Sequence, residues 1–455
     1  VVFVARLFGT DGVRGKANQY PMSPDMVLKL GQAIGLHFKS TYAKPRILIG
    51  KDTRRSGYML EQALSAGICS VGVDVELLGP LPTPGIAYLT RGMRACAGIV
   101  ISASHNPFYD NGIKIFSSTG YKLPDEIEDQ LEGMIEAIGE LPVGRNIGRA
   151  KRVDDAIGQY AVFLKEQFPK HLSLEGMRIV VDCANGAAYK VAPKVFEELG
   201  AELFLTGVEP NGYNINENCG ALHPHILQQQ VKLYKADIGL ALDGDSDRLI
   251  VVDEHGEMVD GDQIIAICAQ YLKKKGRLKN NSIATTVMSN MGLDIAMREE
   301  GIRVVRTQVG DRYVVEEMIK QEICLGGEQS GHIIFGDCST TGDGILAALH
   351  LLEVVLEEKK NVSELKKCMK FLPQILKNVP VKKKVPLEQM PALEARIKEC
   401  QDALRDRGRV LFRYSGTENL ARIMIEGENY DEIEKMVKDL TDLTNKSVDE
   451  MAGSC

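Results

Sequence analysis

The stretch RIVVDCANGAAYKVAPKVFEELGAELFLTG, residues 178–207, passes from an apolar strand through a small polar loop to an amphipathic helix, a glycine and a second strand. A third strand, IGLAL at 238–242, follows and ends on DGDSDR. The same plan is written twice more. RILIGKDTR at 46–54 leads through the helical MLEQALSAGICSV to GVDVELLG at 72–79, then to AGIVIS, which ends on ASHNP. SIATTVMSN at 282–290 leads through LDIAMREE to GIRVVRTQVG at 301–310, then to ICLGG, which ends on EQSGH. Continuous apolar strands alternating with helices predict parallel βαβ units covered on both faces. Gly72, Gly200 and Gly301 stand where left-handed caps close the helices. Ligands of such sheets bind beyond the carboxyl ends of the strands, so chemistry is expected at the three polar tips.

A chain of 455 residues exceeds one core, since single cores stop growing at roughly 250–300 residues. Beyond the repeats, NVPVKKKVPL, PALEARIKECQDALRD, GRVLFRYSGTEN, LARIMIEGEN and YDEIEKMVKDLTDLTNK read as β, α, β, β, α. That order predicts a small α+β domain with a mainly antiparallel sheet. The expected division is 1–150, 151–252 and 253–370 for three related mixed α/β sandwich domains, and 371–455 for the α+β domain.

With 44% hydrophobic and 26% charged residues the composition is that of a globular protein, and a formal net charge of −7 excludes a nucleic-acid or membrane-surface partner held by bulk electrostatics. Any anionic ligand must be met by local positive charge. Ten cysteines, at 69, 96, 183, 219, 268, 324, 338, 368, 400 and 455, form no C-x-x-C pair and read as reduced core thiols. No apolar run reaches the ~18 residues of a membrane span, and the opening VVFVARLFG lacks the flank and cleavage site of a signal peptide. A cytoplasmic chain is expected.

LDGDSDRLIVVDE at 242–254 crowds Asp243, Asp245 and Asp247. Three carboxylates this close repel unless a cation gathers among them, and an all-oxygen set suits Mg²⁺, Ca²⁺ or Mn²⁺ rather than zinc. The alternative is an exposed acidic turn. An EF-hand fails on Arg248, which occupies the position that needs glycine, and on strands where helices are needed. SASHNP sets Ser104 beside His105, either an ordinary turn or a hydroxyl that a base, a metal or prior phosphorylation activates. RYSGTEN at 413–419 with Arg422 combines guanidinium, hydroxyl and exposed amide donors, the makings of a phosphate cradle or of a hairpin turn. GGEQSGH at 326–332 alternates Glu328, Ser330 and His332, fit to bind a polyol or to face solvent.

Together with FGTDGVRG at 8–15, these loops resemble the α-D-phosphohexomutase superfamily, whose motifs occur in the same order over nearly the whole chain. The resemblance implies four domains around a central cleft. It makes Ser104 the phosphoryl carrier and Asp243, Asp245 and Asp247, with an oxygen of phosphorylated Ser104, the ligands of one Mg²⁺ per active site. Arg14, His105, Lys114 and Arg248 would surround the reacting phosphate, with Lys114 or His332 as acid/base. Glu328 and Ser330 would bind sugar hydroxyls, and Arg413, Ser415, Gly416, Thr417 and Arg422 the phosphate that does not react. FGTDGVRGKAN, VGDRYV at 309–314 and the glutamine of GEQSGH resemble the branch that interconverts glucosamine 6-phosphate and glucosamine 1-phosphate for UDP-N-acetylglucosamine synthesis. A sugar bisphosphate would be intermediate and activator. The mannose/glucose branch, or a silent phosphosugar-binding protein, is the alternative. The partner implied is a small phosphosugar, with a homodimer admissible and neither nucleic acid nor membrane. Ser246 stands where these enzymes commonly have glycine, and Asn419 where proline is usual.

Overall fold

A computed structural model of the chain describes residues 6–9, 11–414 and 419–452. It separates into two compact units, Val1–Met288 with Ile302–Cys368, and Ser289–Gly301 with Met369–Cys455.

The first unit holds three sheets built on one plan. The largest runs Val13–Lys16, Asp110–Ser117, Ala97–Ile101, Arg46–Lys51, Asp74–Pro80 and Ala150–Arg152. The second runs Met258–Val259, Leu249–Asp253, Ile238–Leu242, Arg178–Asp182 and Glu202–Thr206. The third runs Arg303–Thr307, Ser282–Thr286, Leu325–Gly327 and Ile333–Phe335. In each, the repeat's first strand is flanked by parallel second and third strands, as expected. At each polar tip the chain turns into an antiparallel strand beside the third, so the sheets are mixed, as the expected mixed α/β domains require. The connections 102–109, 243–248 and 328–332 are too short for a parallel crossover, which needs about a dozen residues. Every tip is therefore held at both ends by paired strands.

Strands such as Arg46–Lys51 and Ile238–Leu242 are buried almost throughout because helices cover both faces. Gly72, Gly200 and Gly301 lie at φ +88°, +100° and +63°, conformations that a side chain would strain.

The second unit has an antiparallel sheet ordered Gln374–Pro380, Leu420–Gly427, Gly408–Tyr414, with helices Pro391–Leu404 and Tyr430–Ala452. Leu393, Ile397, Ile423, Ile425, Ile433 and Leu440 share its core. Its first strand begins at Gln374, ahead of the expected NVPVKKKVPL run, and ends at Pro380, the third residue of that run, since exposed Lys382–Lys384 offer no apolar face to pair. Helix Met291–Glu299, read as the third repeat's helix, groups with this unit because the Asn290 amide brackets the Leu372 backbone with bonds of 3.0 and 3.1 Å. No helix among the described residues is long and apolar enough to cross a membrane.

Candidate active site

The strand Ala97–Ile101 delivers Ser104 into a loop where its backbone is left-handed, φ +49°, and its side chain is buried. A serine seldom adopts that conformation unaided. Here it is over-determined: the fully buried Arg54 donates to the carbonyls of Ser104 and Asn106 at 3.1 and 2.5 Å, and Asn216 Nδ2 donates to the same two at 2.9 and 3.2 Å. Gly244 completes the seat, since a Cβ there would stand 2.6 Å from the Ser104 carbonyl oxygen. Ser104 Oγ donates to Asp243 Oδ2 at 2.6 Å, with His105 Nδ1 3.3 Å away. Burial, then Arg248 and Arg14, lower the His105 pKa to about 4, which favours the neutral imidazole beside the Ser104 oxygen.

Asp243, Asp245 and Asp247 are buried and bring carboxylate oxygens within 4.8 Å of one another. Burial, with Asp247 and Asp245 beside it, pushes the Asp243 carboxyl well above its usual range. Asp245 Oδ1 and Asp247 Oδ1 are buried without a hydrogen-bond partner. A hard divalent cation fits this donor set, since it satisfies the orphaned oxygens and removes the repulsion. Thr83 Oγ1 fixes Asp245 from the first domain at 2.7 Å. Ser246 lies at φ +60°, which accounts for the glycine common there, and its burial shows that the hydroxymethyl group is accommodated.

Lys114, on the return strand Asp110–Ser117, reaches Asp245 at 3.0 Å, Asp11 at 3.2 Å and Asp247 at 3.5 Å. Burial alone depresses its pKa, but Asp11, Asp245 and Asp247 outweigh that and keep it an ammonium. Asp11 also accepts from Arg14 and Lys122. Lys122 continues to Asp311 at 2.5 Å, and His332 lies between Asp311 and Asp247 at 3.6 and 3.7 Å. The Gly342 amide lies 3.1 Å from His332 Nε2; burial lowers the His332 pKa, but Asp247, Asp311 and Glu328 together outweigh it and raise that pKa.

A cleft of 860 Å³ opens over these groups, lined by Arg14, Ser104, His105, Asp247, Arg248, Glu328, Ser330 and His332 among the expected residues. Lys114, Asp243 and Asp245 are buried beside it. Glu328 Oε1 accepts from the Gly310 amide at 3.3 Å. In the second unit Arg413 and Arg422 are directly opposed across the antiparallel pair, so their side chains share one face. Burial and then Arg422 lower the Arg413 pKa. Like charges placed so favour an anion between them. Ser415, Gly416 and Thr417 lie outside the described residues.

Arg54, Asn216, Thr83, Asp11, Lys122, Asp311 and Arg312 were not singled out from sequence. DTR at the end of the strand Arg46–Lys51 and the VGDRYV loop were the available signals, because both follow strands of the repeats.

Family models described as phosphoglucomutase/phosphomannomutase match the chain in order: alpha/beta/alpha domain I at 5–141, domain II at 158–256, domain III at 260–371 and the C-terminal domain at 376–443. A phosphoglucosamine mutase of Pelobacter propionicus is 58% identical, the match covering 98% of this chain and 99% of the relative. One of Geobacter metallireducens is 56% identical, covering 97% and 99%. Among solved structures, a phosphoglucomutase/phosphomannomutase family protein of Burkholderia thailandensis superposes with TM-score 0.82 at 24% identity, covering 97% of each chain. An N-acetylphosphoglucosamine mutase of Aspergillus fumigatus, solved with GlcNAc-6P and magnesium, gives TM-score 0.66 at 17% identity over 97% and 96%.

Proposed function

Because the chain belongs to the phosphoglucomutase/phosphomannomutase family, we propose that it interconverts glucosamine 6-phosphate and glucosamine 1-phosphate, the reaction that its relatives' name describes. The enzyme is an intramolecular phosphotransferase. The observation that carries the chemistry is the Ser104 hydroxyl set 2.6 Å from Asp243 within a buried acidic trio.

Phosphorylated Ser104 donates its phosphoryl group to the free hydroxyl of the substrate: the P–Oγ bond breaks, a P–O bond to the sugar forms, and Ser104 regains the proton the sugar hydroxyl loses. The bisphosphate so formed turns end for end and returns its other phosphate to Ser104. A hexose bisphosphate primes the enzyme. Asp243, Asp245, Asp247 and Ser104 would hold Mg²⁺, which would neutralise charge on the transferring group. Arg14 and Arg248 orient phosphate oxygens by forked donation, and His105 bonds the oxygen at Ser104. Lys114, held as an ammonium, is assigned to hand a proton to Ser104 Oγ as the P–Oγ bond breaks, the amine so formed taking the proton that the sugar hydroxyl loses. Glu328 and Ser330 bind sugar hydroxyls. Arg413, Arg422, Ser415, Gly416 and Thr417 bind the phosphate that is not reacting.

The test is a product assay with glucosamine 6-phosphate, Mg²⁺ and a hexose bisphosphate, run beside glucose and mannose phosphates. Preferred turnover of the amino sugar is expected, with intact mass showing one phosphate that Ser104→Ala abolishes. Equal or better turnover of the neutral sugars overturns the amino-sugar assignment. Full activity of Ser104→Ala overturns the carrier.

A further inference from the structure

The loop between the strand Arg303–Thr307 and the helix Asp311–Lys320 is anchored through the first two residues of that helix, which bind the first domain. Lys122 Nζ binds Asp311 Oδ2 at 2.5 Å. Arg312, its side chain 14% exposed, donates to the Leu123 carbonyl at 2.8 Å and to Glu128 Oε1 at 3.2 Å, and pairs with Asp125. The same loop presents the Gly310 amide that holds Glu328 Oε1 at 3.3 Å. Contacts therefore run unbroken from the first domain, through Arg312 and Gly310, to a carboxylate that lines the cleft.

Glu128 is the informative member. It is 3% exposed and does not line the cleft, so no substrate in the cleft touches it. A guanidinium that spends its fork on a carbonyl and two carboxylates fixes the direction of the chain that bears it. We propose that Arg312 and Glu128 are positioning residues for sugar recognition: their ion pair seats the loop so that Gly310 aims Glu328 at the substrate. The inference rests on the assignment of Glu328 to the sugar. A contact to hydroxyls that do not react binds substrate and transition state alike, so its loss appears in KM and not in kcat.

Steady-state kinetics on the bisphosphate-primed, Mg²⁺-loaded enzyme test this with Glu128→Gln, Arg312→Met and the double variant. Each single change is expected to raise KM for glucosamine 6-phosphate about tenfold, the loss of one well-placed hydrogen bond to a charged group, while kcat falls less than about threefold. The double variant is expected to be no worse than the weaker single, because both act through one contact. Phosphate uptake at Ser104, followed by intact mass, stays at the wild-type level. If Arg312→Met raises KM and Glu128→Gln does not, Arg312 meets the substrate directly and the proposal is overturned. Unchanged KM in both, or multiplied losses in the double variant, also overturns it. Were Glu128→Gln to unfold, Arg312→Lys decides: it keeps the charge but cannot span the Leu123 carbonyl and Glu128 together, so an intermediate KM supports the proposal and a wild-type KM overturns it. Failure of the wild-type enzyme to turn over glucosamine 6-phosphate counts against the proposed function instead, and is read from that control.

Discussion

Ser104 Oγ and Asp243 Oδ2 lie 2.6 Å apart although 139 residues separate them in the chain. The contact joins the tip of the first sheet to the tip of the second, and the fold alone brings it about. Preorganisation of this kind is worth most in phosphoryl transfer, where positioning and charge neutralisation do nearly all that the protein contributes.

Asn216→Ala tests that view directly. Its amide holds the carbonyls of Ser104 and Asn106, and Arg54 holds the same pair, so the loop is loosened without being released. Stability is expected to fall by about 1 kcal/mol, the net worth of a hydrogen bond, while misplacement of Oγ lowers kcat by about 10–100-fold with KM little changed. A kcat within twofold of wild type shows that Arg54 suffices, about the precision an ordinary assay resolves.

Asp245→Asn keeps an acceptor for Thr83 and removes one charge from the trio. Mg²⁺ affinity, measured by calorimetric titration without substrate, is expected to drop about tenfold or more, as outer contacts alone commonly count for 10–100-fold at metal sites. Unaltered Mg²⁺ binding places the cation elsewhere.

Much of this site is legible in the residues because its chemistry is crowded. Asp243, Asp245 and Asp247 stand too close to be left without a cation, and Ser104 ends a strand that is buried along its length. What escapes notice is held by backbone. Arg54 and Asn216 act on carbonyl oxygens of a loop far along the chain, and every residue type has such a carbonyl, so no pattern of side chains marks the target. The repeats are legible from apolar runs, yet the antiparallel return strands follow from the brevity of the connections and not from any residue preference.

Arg413→Ala separates binding from stability. Two guanidinium groups opposed across strands repel when no anion lies between them, so the unliganded variant is expected to match or slightly exceed wild type in stability, by less than about 1 kcal/mol. Its KM for phosphosugar rises. Inorganic phosphate added during thermal unfolding raises Tm for wild type and less for the variant, since a ligand stabilises only what it binds. Equal protection of both proteins removes Arg413 from the anion site.

Asp343 gives a pH dependence whose sign follows from its surroundings. It caps the helix Gly344–Glu358 by accepting from the amides of Ile345 and Leu346 and receives the hydroxyl of the buried Tyr160 at 2.6 Å. Burial raises its pKa to about 6, the amides and the Tyr160 hydroxyl pulling the other way. The folded protein therefore holds a proton that the unfolded chain, titrating near the ordinary aspartate value, releases. Stability from this group is full below about pH 4 and is lost as pH rises through about 6, on the order of 3 kcal/mol across the window. Asp343→Asn keeps the oxygen for the two amides and turns its NH₂ to the Tyr160 oxygen without titrating. The variant is expected to gain on wild type between about pH 4 and 6 and to hold that gain at pH 7. Denaturant unfolding of both proteins across the range checks it: parallel stability curves remove Asp343 as the source, and a variant that loses ground as pH rises reverses the sign.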